Sequence, residues 1–184
     1  MRLLAFLFLC SAAFAAEPPP ESPLARHEKP SGMGKYGAEV IDSIDGAGLV
    51  KLQGTSVKDV QVSGSLVSQS AKLGSVQIQG EANLRDTTIV GETTITGFVQ
   101  THSSTFEKPV TICTGKALFT HTKVHSITVR KEPSFKGKQI VELKQGSIVA
   151  GNIHFESGKG EVHIDASSRI EGKVTGGKVI RRSS

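Results

Sequence analysis

Between Val50 and Val129 the apolar residues come in short alternating bursts, and the bursts recur. Val60, Val62 and Leu66 keep the spacing of two that marks a strand with one buried face. The next apolar positions, Ala71 and Leu73, have the opposite parity, so the chain turns a corner between them. Sixteen residues later the phrase returns as Val76, Ile78, Ala82, Thr87 and Ile89, with Gly80 in the place of Gly64. Seventeen residues on it returns as Ile95, Gly97, Val99 and Phe106, then again as Val110, Ile112, Ala117, Phe119, Thr122 and Val124. Val50, Leu52, Thr55 and Val57 supply an earlier half unit, and Ile127 and Val129 open a later one. No helical spacing persists beyond two turns.

One such unit has too few apolar residues to close a core by itself. Stacked in parallel on its neighbours it buries a continuous one, which is the logic of a solenoid. Each unit is expected to hold three strands of two or three inward residues, with corners at Gly or at Ser, Thr and Asn. Val62, Ile78, Ile95, Ile112 and Val129 should form one inner ladder. Farther on the period lengthens to twenty-one: Val141 aligns with Val162, Leu143 with Ile164, Gly151 with Gly172 and Ile153 with Val174. The stretch Arg130 to Gln139 fits no unit and is expected to protrude as a loop. The expected fold is all-β: a single-domain parallel β-helix (β-solenoid) over 38–180, in about seven turns of 16–21 residues. It is expected to be right-handed, because the six-residue comb of left-handed β-helices is missing.

The chain ends add a compartment. Residues 1–16 carry Arg2, a short apolar core and small residues at Ala13 and Ala15, the layout of a secretory signal peptide. As a membrane span it is too short, since roughly 20 apolar residues are needed. Cys10 follows Leu9 rather than the small residue a lipidation signal wants. Residues 17–37 hold five of the seven prolines and little that is large and apolar, so a flexible tether is expected there. Residues 181–184 form a basic tail. With Cys10 removed, Cys113 is the one cysteine left, so the fold cannot depend on an internal disulfide. The expected location is outside the cytoplasm: periplasm, cell surface or medium.

The run from Gly146 to Val174, with its Gly151-Asn152-Ile153 and Gly172-Lys173-Val174 endings, resembles the repeats of bactofilins, the polymer-forming cytoskeletal proteins of bacteria. Gly64, Gly80 and Gly97 are looser echoes, and the resemblance spans about residues 45 to 176. It implies a short-turn β-helix and end-to-end self-association. Bactofilins typically work in the cytoplasm, whereas this chain begins with an export-type segment.

Candidate chemistry is sparse. Outward positions beside the main ladder are Gln61, Ser63, Gln77, Gln79, Thr94, Thr96 and Thr111, followed by Cys113. They make a regular, nearly uncharged face, which is either a recognition surface for a glycan or a partner's sheet, or ordinary solenoid skin. Thr-x-Thr occurs on one turn of it, which excludes an ice-binding array. Cys113 is an intermolecular disulfide candidate or an incidental thiol. His102 and His121 fall on adjacent turns without a third ligand, and His125, His154 and His163 are dispersed on outward positions, so no metal site is expected. Asp59, Asp86 and Asp165 are scattered, and no nucleophile elbow or phosphate loop appears. Neither enzymatic activity nor a cofactor is expected.

Charge is uneven: 7 basic against 10 acidic residues from Glu17 to Phe106, and 14 against 7 from Glu107 onward. The basic end, with Lys173, Lys178, Arg181 and Arg182, suits lipopolysaccharide, phospholipid or nucleic acid, or the acidic end of another copy. Two functions stand open. One is an exported structural scaffold that self-associates, in a homo-oligomer or filament. The other is a monomeric module that holds a glycan or anionic polymer through the Gln/Thr face or the basic end.

Overall fold

The computed structural model describes residues 26–132 and 135–182. Residues 1–25, which include the expected signal peptide, Cys10 and the first part of the expected tether, and the last two residues lie outside them. The described chain is one all-β domain: nineteen strands, every recorded pair parallel, wound into a solenoid of about nine turns.

The register follows the apolar phrase. Val62, Ile78, Ile95, Ile112 and Val129 pair in sequence, turn on turn. In the turn 71–86 the inward residues are Ala71 and Leu73, Val76 and Ile78, then Ala82 and Leu84, two to a side of a three-sided coil. Gly74 and Gly80 mark two corners and Asp86 the third. Pairing skips only Gly74 at the first corner and runs unbroken through Gly80 at the second, so Lys72–Arg85 forms one bent strand of 14 residues. At the third corner Ser70, Asp86, Ser103, His121 and Gln145 all take positive φ, 49–52°.

A buried column of hydroxyls follows that corner: Thr55, Thr87, Ser104, Thr122, Ser147 and Ser168 are at most 5% exposed. Their role is to satisfy backbone that the tight corner takes off the ladder. Thr87 Oγ1 donates to the Arg85 carbonyl at 2.8 Å and Thr122 Oγ1 to that of Thr120 at 2.8 Å. The next turn completes the count: Thr122 N donates to Ser147 Oγ at 3.2 Å and Ser147 N to Ser168 Oγ at 3.0 Å.

The stack is longer than the expected seven turns at both ends. Ser31–Tyr36 lies inside the stretch read as tether, yet it pairs in register with Ala47–Leu52. Its inward places carry Gly34 and Tyr36, and Pro30 packs beside Gly46, so small residues and rings replace the aliphatic code. At the other end Gly177–Arg181 pairs with Gly160–Ile164, bringing Arg181 of the expected tail into the sheet. Arg130 to Gln139 stays out of the strands where it is described. Phe135 lies over Gly115 and Gly137, and buried Gln139 donates to the carbonyls of Thr114 and Arg130.

Candidate functional site

The Gln/Thr face forms as two adjacent columns. Gln61, Gln77, Thr94 and Thr111 stack in one, Ser63, Gln79, Thr96 and Cys113 in the other, all outward. Successive turns set equivalent side chains about 4.8 Å apart. The first column, continued below by Asp45, borders a shallow groove of about 490 Å³ whose other edge carries Ser43, Asp59, Ser75 and Glu92. The face is therefore acidic along one side. Asp59 and Glu92 each lie two residues before a member of the column, Gln61 and Thr94, so strand alternation sets them on the same outward face.

Cys113 is half-buried rather than freely exposed. Its thiol donates to Glu132 Oε2 at 3.1 Å beside the loop that carries Phe135. Burial, and then the Glu132 carboxylate, push the thiol up to about 11 from an ordinary value of 9.0. Since the thiolate is the reactive form, alkylation by iodoacetamide at pH 8 should run about 100-fold slower than in urea. Glu132→Gln should recover at least threefold of that. Equal rates in the folded and unfolded chain would show that neither burial nor Glu132 restrains the sulfur.

His102 faces Thr120, and His121 sits on the corner above Ser103, with Nδ1 3.1 Å from the Gln145 carbonyl oxygen. His154 Nδ1 meets Thr175 Oγ1 at 2.8 Å. Among the described residues no three His, Cys, Asp or Glu side chains converge as metal ligands.

The densest chemistry lies elsewhere, on the outer face of the last three turns. Glu142, Glu161 and His163 are each under 10% exposed although their strand positions point outward. Lysines cover them. Lys116 and Lys144 pair with Glu142 at 3.1 and 3.0 Å, and Lys138 and Lys178 with Glu161 at 2.7 and 3.6 Å. His163 Nε2 lies 3.0 Å from Glu161 Oε2, while its Nδ1 is buried without a partner. The Lys138 bond, then that of His163, hold the Glu161 carboxyl down at about 2. Burial raises Glu142, but its two lysines outweigh this and leave it lowered. Asp165 is also desolvated, yet hydrogen bonds from Ser168, Gln145 and Ser167 hold it at about 2.

The predicted basic end is assembled in part by this network. Lys178 belongs to it, Arg181 stacks above Ile164, Arg182 lies beside His163, and Lys173 stands apart, its N–H on Asn152 Oδ1. Sequence reading placed His163 and Glu142 nowhere special, because Lys138 reaches Glu161 from the loop that fits no repeat.

Compared with known proteins, the chain matches no family model, no curated protein and no solved structure. Its own geometry must carry the functional reading. What that geometry offers is an ordered, regular coil with one open basic end.

Proposed function

We propose that this chain is an exported, non-enzymatic structural protein that self-associates end to end, in keeping with its bactofilin-like repeat endings. One observation carries the reading. In the last turn, 169–182, Ile170, Val174 and Val179 hold ladder positions with no further turn above them among the described residues. Val179 is 42% exposed, whereas Val149, Ile153 and Val162, directly below the three, are fully buried. The same turn presents an unpaired strand edge, a template for another chain. Contact between unlike ends extends into filaments when the rotation does not close.

A second reading rests on the charge of this turn. Arg169, Lys173, Lys178, Arg181 and Arg182 stand against Glu171 alone. Arg181 also holds a ladder position that Leu143 and Ile164 fill below it. A charge pointing along the core blunts an edge, so a monomer that uses this end for an anionic polymer is the rival.

Sedimentation velocity of the chain from Glu17, over a hundredfold concentration range with reductant present, separates the two. Growth into long species, abolished by Val179→Asp, is the expected result. A monomer throughout removes self-association and leaves the polymer reading.

A further inference from the structure

Beside His163 a groove of about 330 Å³ opens between Glu142 and Lys144 on one turn, Asp165 on the next and Arg182 on the last. Which of its polar groups are already used decides what it can hold. Glu142 is neutralised by Lys116 and Lys144. Asp165 accepts from Gln145 N at 2.6 Å, from Ser167 N and Oγ at 3.1 and 3.0 Å, and from Ser168 N at 2.8 Å. Both carboxylates have their acceptor oxygens engaged, although Asp165 keeps its charge. The free donor capacity lies on two cations. Lys144 has three N–H bonds to give and one acceptor, at Glu142 Oε2. The Arg182 side chain makes no hydrogen bond or ion pair among the described residues. His163 turns Nε2 to Glu161 and leaves Nδ1 buried and unpaired, a state that native interiors seldom leave without a partner.

We propose that this groove binds a tetrahedral oxyanion, a phosphate or sulfate group, between Lys144 and Arg182, beside the ring of His163. Arg182 offers the planar fork that matches such oxygens, and Lys144 a movable point charge. The volume leaves room for a substituent, so the group can be a free anion or one carried by a polysaccharide. The site does not depend on end-to-end association. It shares with the polymer reading Arg182 and the sign of the ligand.

The test is titration calorimetry of the chain from Glu17 with inorganic phosphate, paired with retention on a sulfated polysaccharide column. Saturable binding of one phosphate per chain is expected, weakened at least tenfold by Arg182→Ala and by Lys144→Ala. Lys173 belongs to the same basic end but does not line the groove, so Lys173→Ala should bind like the parent. Equal losses in all three variants, or no saturable heat, would overturn the site. Column retention that phosphate competes away, and that Arg182→Ala reduces, assigns the group to a polymer. Phosphate binding without retention assigns it to a free anion. Retention indifferent to both phosphate and Arg182→Ala, with no phosphate heat, leaves the basic end a polymer surface and refutes the groove.

Discussion

Gly80→Ala is expected to destabilise the coil by about 4 kcal/mol, from strain of ~1–3 kcal/mol and a comparable cost of overpacking. Gly80 sits at φ 138°, directly above Gly64 at φ 139° and below Gly97 at φ 124°. A Cβ there falls well inside van der Waals contact of the Gly64 carbonyl oxygen. Side chains rarely adopt this backbone conformation, and stacked turns are too close to yield. Two other glycines separate these causes. Gly32 has φ 93° with nothing within 4 Å of its Cβ position, so Gly32→Ala meets strain alone. Gly74 has no positive φ, but its Cβ would strike the Lys58 carbonyl oxygen, so Gly74→Ala meets the close approach alone. Urea unfolding of the three variants should rank Gly80→Ala as the most damaging. If Gly32→Ala costs as much, the contact between turns is not what reserves the position for glycine.

That spine also bears on what the sequence made legible. Gly64, Gly80 and Gly97 kept their place in three successive repeats, and the ladder from Val62 to Val129 could be aligned by eye, because parallel stacking puts identical roles sixteen or seventeen residues apart. The fold class and the register followed from that. The first turn did not, since Pro30, Gly34 and Tyr36 line it without the Val/Ile alternation that a strand search rewards. The buried column was half legible: Thr87 aligned with Ala71, but nothing local says that Ser104, Ser147 and Ser168 point inward to serve a corner. The Gln and Thr residues stack in two columns as strand alternation implies, and the acidic row of Asp59 and Glu92 was open to the same reading, since each lies two residues before a member of the first column. The cluster around His163 and Glu161 was illegible for a stronger reason. It needs Lys138 from an irregular loop and Lys178 from a last turn whose register no repeat fixed.

Those two lysines illustrate how the coil is coupled. In a stack each turn touches mainly its neighbours, so stability is close to a sum of turn and interface contributions. The ion pairs tie the last turns to one another, on a partly solvated face where such pairs add little individually. Apolar contact does most of the joining. The widest side chains in the middle of the stack are therefore the places where the coil is most readily divided.

Phe119→Ala tests this. Phe119 is fully buried, pairs with Leu143 above and Thr101 below, and meets Phe106 edge to face with ring centroids 6.3 Å apart and planes at 75°. Truncating a buried Phe costs about 3–5 kcal/mol, part of it the aromatic pair. Here the loss falls on the two interfaces that flank the turn carrying Phe119, which separates the regular turns below from the longer ones above. The expected result is two transitions in denaturant, where the parent chain shows one. Turns built from Lys72–Arg85 and its neighbours should persist to higher urea, because their inner ladders are untouched. Phe119→Leu keeps most of the volume and should lose under 2 kcal/mol while remaining a single transition. Hydrogen exchange read turn by turn distinguishes the outcomes. Protection lost evenly from 40 to 180 in Phe119→Ala would mean that the solenoid unfolds as one unit and that nearest-neighbour coupling is too strong to cut there.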